Sequence, residues 1–189
     1  MNKNINLERT TDFLGEVHDI VDVNNHVIGR ATRKEFLQNP KLIRRTAHIW
    51  LRSRTGKYWL QKRSATKDLE PNHWSSAVGG FVRAGAHTPR AIMREAQREM
   101  REELGINALL KFYKILPMPK ASTGGAMVYW YVGYSDGPFR LEPTEVADFK
   151  AFDMLYAWEL YKRGKMKLTS LFVQELAMYI ENPKQLDSF

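Results

Sequence analysis

The chain of 189 residues contains no cysteine, which excludes disulfides, thiolate metal ligands and a cysteine nucleophile together. Long apolar runs are missing too. No stretch approaches the roughly 18 uncharged apolar residues of a membrane span, so no membrane partner is expected. The opening "MNKNINLERTTDFLGE" has no apolar segment of the kind a secretory signal carries, and a cytoplasmic location is the expectation. No repeat, low-complexity segment or linker divides the chain. Residues 1–189 therefore read as one domain, with 1–14 as a peripheral arm. Acidic residues are in deficit: 21 Asp and Glu stand against 29 Lys and Arg, a net charge of +8. Such a balance asks for an anionic partner, and a nucleic acid or a phosphorylated small molecule would satisfy it. The cations are scattered, as in "RRTAHIWLRSRTGKYWLQKRSATK", and not gathered in one arm, so nucleic acid is not favoured.

What is present is a mixture of strand and helix signals. "EVHDIVDVNNHVIGRATR" predicts two short strands around Asn24-Asn25, a pair that tolerates left-handed backbone. "TAHIWLRSRTGKYWLQKRS" predicts a hairpin turning at Gly56. "SSAVGGFV" reads as one short strand ending in a glycine pair. Thr88 then suits an N-cap, Pro89 the first helical position and Gly105 the C-cap of a helix. "ALLKFYKILPMP", "AMVYWYVGY" and "VADFKAF" read as strands, and two closing helices follow. In the last of them Leu168, Leu171, Phe172, Leu176, Tyr179 and Ile180 recur at helical spacing. The class is α/β or α+β, a mixed sheet with helices on it.

The helix from Pro89 contains "REAQREMREELG". Glu99, Glu102 and Glu103 stand at i, i+3 and i+4 and share one helical face. Three carboxylates together repel one another unless cations compensate. Arginines do so on a solvated face; a hard divalent ion, Mg²⁺ or Mn²⁺, does so in an oxygen-ligand site. The register from Arg98 to Ile106, "REMREELGI", resembles the core of the Nudix box, with "GGFVRAG" upstream where that box has its glycines. "VDVNNHVIGRATRKEF", "LQKRSATKD", "PNHWSSAVGGFVRAG" and "LEPTEVADFKAFDMLYAWEL" resemble, in order, the Nudix branch similar to isopentenyl-diphosphate isomerase. The likeness spans roughly residues 15 to 180. It implies an α/β/α sandwich with the catalytic helix after a glycine-rich loop, and a metal-dependent hydrolase acting on a diphosphate linkage in a small molecule. It also implies Glu99, Glu102 and Glu103 as metal ligands, one of them a candidate general base, and Arg98 as the cation that orients a glutamate. Glu145 in "PTEV" is a candidate further ligand or base. Arg63 and Lys67 match positions where that branch places diphosphate-binding cations. Dimers are frequent in the family, so a homodimer is a further expectation. Trp74, Tyr129 and Tyr131 are candidates for stacking on a base but read better as core or sheet-face residues. His87 reads as a solvated loop histidine.

The pattern is broken in two places. The family spacing puts a glutamate six residues after Gly80, where this chain has Ala86. Eleven residues, not seven, then separate that position from Arg98. Four extra residues are about one helical turn, which leaves the glutamates on the same face. The missing carboxylate keeps open a second reading, a Nudix-type ligand-binding module with weak or no catalysis. The isomerase chemistry itself is not carried over. It uses a cysteine for proton transfer, and Arg44-Arg45 stands where the branch often has His-Arg.

Overall fold

The computed structural model describes residues 7–8, 10–121 and 123–187. β1 (Val17–Val21) and β2 (Val27–Thr32) form the first hairpin, and Asn25 takes the left-handed conformation at its turn, φ 68°. A short helix, α1 (Arg33–Gln38), follows directly and is absent from the sequence reading. Its signal was present: Thr32 and Glu35 form a reciprocal capping box, the T-x-x-E signature.

β3 (Ile43–Arg52) and β4 (Tyr58–Arg63) are joined at Gly56, φ 79°, as expected. They pair only at Leu51 with Trp59 and Arg52 with Tyr58. Further in, the same edge of β3 is taken at Thr46–Ile49 by β6 (Val78–Phe81) and at Ile43–Arg44 by β1. β4 is thereby displaced and pairs with β5 (Trp74–Ser76) and β9 (Val146–Phe152). The segment read as one strand is therefore two, which cross from β4 to β3 at the fully buried Ala77. The other edge of β3 is filled along its whole length by β8 (Gly125–Tyr134), in parallel, and β7 (Leu110–Met118) lies outside β8.

Period-two alternation on β3 and β8 divides the core. Ala47, Ile49, Leu51, Met127, Tyr129 and Tyr131 face α2 (Pro89–Leu104), which contributes Ile92, Ala96, Met100 and Leu104 at intervals of four. Thr88 caps α2 by accepting from the Ala91 amide, and Gly105, φ 66°, ends it. Trp50, Trp130 and Val132 face α3 (Met154–Lys162) and α4 (Ser170–Glu181), where Phe172 and Leu176 are fully buried; α5 (Pro183–Asp187) closes this layer. Burying a side chain such as Phe172 contributes about 1.5–3 kcal/mol. The result is the mixed sheet between helices that was expected. Among the described residues no helix is long and apolar enough to cross a membrane.

His18 on β1 is fully buried against the edges of Phe36 and Phe81. Its Nδ1 pairs with the Val82 carbonyl at 3.0 Å, while Nε2 lies 3.4 Å from a Glu16 oxygen without a hydrogen bond. Burial, aided by Arg33 and Arg44 and opposed by Asp19, lowers its pKa to about 4. Between that value and the ordinary 6.5 the unfolded chain binds a proton that the folded one refuses. Stability from this group is thus complete above the unfolded pKa and is lost as pH falls toward the folded one. We expect the stability difference between wild type and His18→Gln to shrink by roughly 2 kcal/mol from about pH 7 to about pH 5, measured by urea unfolding. A constant difference would refute it. The comparison of two proteins cancels buried carboxylates, which titrate in the opposite sense.

Candidate active site

The gap left where β3 and β4 part is a cavity of about 290 Å³. One part of its wall is α2. Glu99 lies under β6 so closely that a Cβ on Gly80 would stand 2.7 Å from the Glu99 carboxyl carbon. Only glycine lets helix and strand approach to this distance. Burial pushes Glu99 up to about 7, opposed by Arg98 and reinforced by Glu102. Glu103, one turn on, is buried, and its Oε2 accepts from Gln61 Nε2 at 3.0 Å. Its pKa is raised well above the ordinary value, first by burial, then by Glu99 and Glu145, with Lys67 and Arg63 pulling the other way. Glu102 is more open, its side chain 55% exposed. Arg98 ties the group together: it donates to Glu99 and Glu102, and Nη2 reaches Glu95 at 3.3 Å.

α2 runs unbroken from Pro89 to Leu104, and Glu99, Glu102 and Glu103 on it line the cavity. Glu95, on this helix one turn before Glu99, is held by Arg83 at 2.7 and 3.0 Å. Ala86 is packed into the α2-side core and is not among the residues that line the cavity. His87 is half-exposed, with Nε2 3.0 Å from Asp19 Oδ2. Trp74 packs on Phe152, and Tyr129 and Tyr131 belong to the core, so none of the three lines the cavity.

The opposite wall is cationic. Arg63 lines it and donates through Nε to the Leu69 carbonyl at 2.8 Å. Lys67 is buried between Asp12, 2.5 Å away, and Glu145, to which it makes a short ion pair. Glu145 lies just before β9 and is engaged by Lys67. Arg33, Arg44, His48 and Asp12 also line the cavity, and the sequence reading singled out none of them as site residues. Asp12 corrects the expected peripheral arm over 1–14. It accepts from Lys67, lies 3.3 Å from Arg33 and takes the Asp68 amide at 2.9 Å. Burial alone would raise its pKa, but Arg33 and Lys67 outweigh burial and hold it far below the usual range. Two buried cations need that counter-charge, which is why this stretch is built into the domain; residues 1–6 and 9 of the arm lie outside the described residues. His48 Nδ1 makes a short bond to the fully buried Glu175, whose other oxygen accepts from Trp50 Nε1 at 2.8 Å. The only sequence signal for this trio was period two: Thr46, His48 and Trp50 fall on one strand face.

Among the described residues no three acidic or histidine side chains are already gathered round one point; Arg98 holds Glu99 and Glu102. The donor set nevertheless fits a hard divalent ion. Glu99 and Glu103, one turn apart, both have raised pKa values, Glu99 adds to the rise of the buried Glu103, and Glu103 has no ion-pair partner among the described residues. A cation bound by oxygen ligands is what such a pair lacks.

Residues 42–169 match the family described as NUDIX domain. The chain belongs to the Nudix family. It is 31% identical over 133 residues to an uncharacterised Nudix hydrolase of Yersinia pestis, covering 68% of each chain. It is also 31% identical over 135 residues to the uncharacterised Nudix hydrolase YfcD of Escherichia coli K12, covering 69% of each. Its fold is similar to that of DR0079 from Deinococcus radiodurans, with TM-score 0.73, 22% identity and coverage of 86% of this chain and 98% of that one. It is similar too to the Nudix domain of Shewanella oneidensis NrtR, solved in complex with ADP ribose, with TM-score 0.59, 16% identity and coverage of 82% and 100%. These Nudix relatives support hydrolase chemistry for the chain at family level.

Proposed function

We propose that this Nudix protein is a metal-dependent pyrophosphohydrolase that cleaves a diphosphate linkage in a nucleoside diphosphate derivative or related small molecule. The observation that carries the reading is one cavity lined by Glu99, Glu102 and the buried Glu103 and also by the buried guanidinium groups of Arg33 and Arg44. Glu99, Glu102 and Glu103 would hold Mg²⁺ or Mn²⁺, with Glu145 as a further ligand once released from Lys67. Such an ion, when bound, neutralises phosphate oxygens and makes water a better nucleophile near neutral pH. Arg98 orients Glu99 and Glu102. Arg63 offers the free part of its fork to phosphate oxygens. Lys67, spanning Asp12 and Glu145, fixes the cationic wall against the acidic one. The ADP ribose held by the NrtR neighbour supports a diphosphate-bearing ligand for this fold. Likeness to the isomerase-like branch adds diphosphate binding, and the absence of cysteine removes the proton-transfer group that its isomerisation uses.

The buried Ala86 favours one rival, a ligand-binding module with no turnover. A panel of nucleoside diphosphate derivatives and related diphosphates, incubated with Mg²⁺ and with Mn²⁺ and followed by phosphate-product release, separates the two. We expect turnover of at least one compound that stops with EDTA. Metal-independent ligand binding with no product from any compound would establish the module instead.

A further inference from the structure

On β3, Arg44, Thr46 and His48 occupy alternate positions, so their side chains leave one face of the strand, and all three line the cavity. The fold accounts for two of them. Thr46 Oγ1 donates to the Gly80 carbonyl at 2.7 Å, and His48 is held by Glu175. Arg44 is different. It is 2% exposed, Nη1 donates to the carbonyls of Thr123 and Gly125 at 3.3 Å each, and Nε has no partner. Among the described residues no carboxylate is within ion-pair distance of it. The other buried cations of this wall have theirs: Arg33 forks onto Asp68, and Lys67 lies between Asp12 and Glu145. Arg44 instead lies over the ring of Phe81, 4.2 Å from its centroid, and Arg33 lies 4.3 Å from the same centroid. Burial and the nearby Arg33 bring its pKa down to about 10 against the pull of Asp68 and Glu70, which lie beyond ion-pair distance, so it stays charged at neutral pH. A buried charge without a counter-ion is costly, and two guanidinium groups sharing one ring add repulsion.

We infer that Arg44 anchors an anion subsite in the most buried wall of the cavity, and that the ligand places a phosphate group there. Arg63 lines the same cavity as Arg44 and the glutamates. A phosphate chain can therefore run between the glutamates and Arg44, with the end at Arg44, 2% exposed, buried. That arrangement selects compounds whose phosphate chain ends in a free phosphate over those esterified at both ends. A guanidinium fork suits a phosphate's oxygens better than an ammonium point charge.

The inference rests on reading the cavity as a diphosphate site, but its test does not use hydrolysis. The probe is inorganic pyrophosphate, titrated calorimetrically into the full chain in EDTA, with Arg44→Gln and Arg44→Lys beside wild type. We expect wild type to bind, Arg44→Gln to bind at least about tenfold more weakly, and Arg44→Lys to fall between. Arg44→Gln replaces the buried charge with a neutral amide. Without anion, Arg44→Gln should therefore melt at or above the wild-type temperature, because an unpaired buried charge has gone. A purely structural arginine would lower the melting temperature on replacement. No pyrophosphate binding by wild type at millimolar concentration, affinity of Arg44→Gln within about twofold of wild type, or failure of that variant to fold would each overturn the subsite. Pyrophosphate binding through Arg44 with no turnover across the substrate panel would leave the subsite standing and remove the hydrolase reading alone.

Discussion

Replacing Glu103 by glutamine is expected to reduce turnover by more than about 10²-fold while leaving the protein as stable as wild type or more so. Groups that merely orient a metal ligand typically cost about 10–100-fold when removed, and a direct ligand should cost more. Stability moves the other way because of where the carboxylate lies. Glu103 is buried, faces Glu99 and Glu145, and has one neutral hydrogen-bond partner, Gln61. The amide of Glu103→Gln keeps an oxygen for Gln61 and carries no charge, so the repulsion from Glu99 and Glu145 disappears. A gain of about 1 kcal/mol would raise the melting temperature by roughly 2–4 °C. Kinetics on a compound from the panel, with calorimetric melting of both proteins, makes the comparison. A variant that retains the wild-type rate would show that Glu103 holds no catalytic ion.

The second large effect is structural and supports the cationic wall. Asp68 is fully buried and takes both Nε and Nη2 of Arg33, at 2.5 and 3.0 Å. Burial would lower the Arg33 pKa, and Asp68, with Asp12 behind it, more than reverses this. Asp68→Ala leaves a buried guanidinium with only Asp12 at 3.3 Å, so the expected loss is about 3–5 kcal/mol. For a domain of this size that is roughly 6–20 °C in melting temperature. Asp68→Asn should lose less, since one oxygen still accepts. The double replacement Asp68→Ala with Arg33→Met should recover most of the loss, because the cost lies in the unpaired charge and not in the missing bond. Urea unfolding of the four proteins closes the cycle. If Asp68→Ala costs under about 1 kcal/mol, the pair is not the anchor of this wall.

The sequence alone determined α2 and the placement of its glutamates, because every determinant is local. Thr88, Pro89 and Gly105 set the ends, the four-residue spacing of Ile92, Ala96, Met100 and Leu104 sets the buried stripe, and the same helical geometry places Glu99 and Glu103 on the cavity side. Runs of β-prone residues between turns did as much for the existence of β3, β8 and β9. Only the tertiary structure decided how β3 and β4 relate. A hairpin motif specifies its turn and first pairs, whereas the competition of β1, β6 and β4 for one edge of β3 depends on segments distant in sequence. That competition opens the cavity. It also decided which charges matter. Lys67 looked like a free phosphate cation and is neutralised by Asp12, 55 residues before it, and by Glu145, 78 residues after it. Arg44 looked like one more scattered arginine and is a buried cation of this wall with no carboxylate at ion-pair distance among the described residues. Whether a charge is spent or available depends on what folding brings within a few ångströms of it, and Coulomb energy in a buried site changes over just that distance.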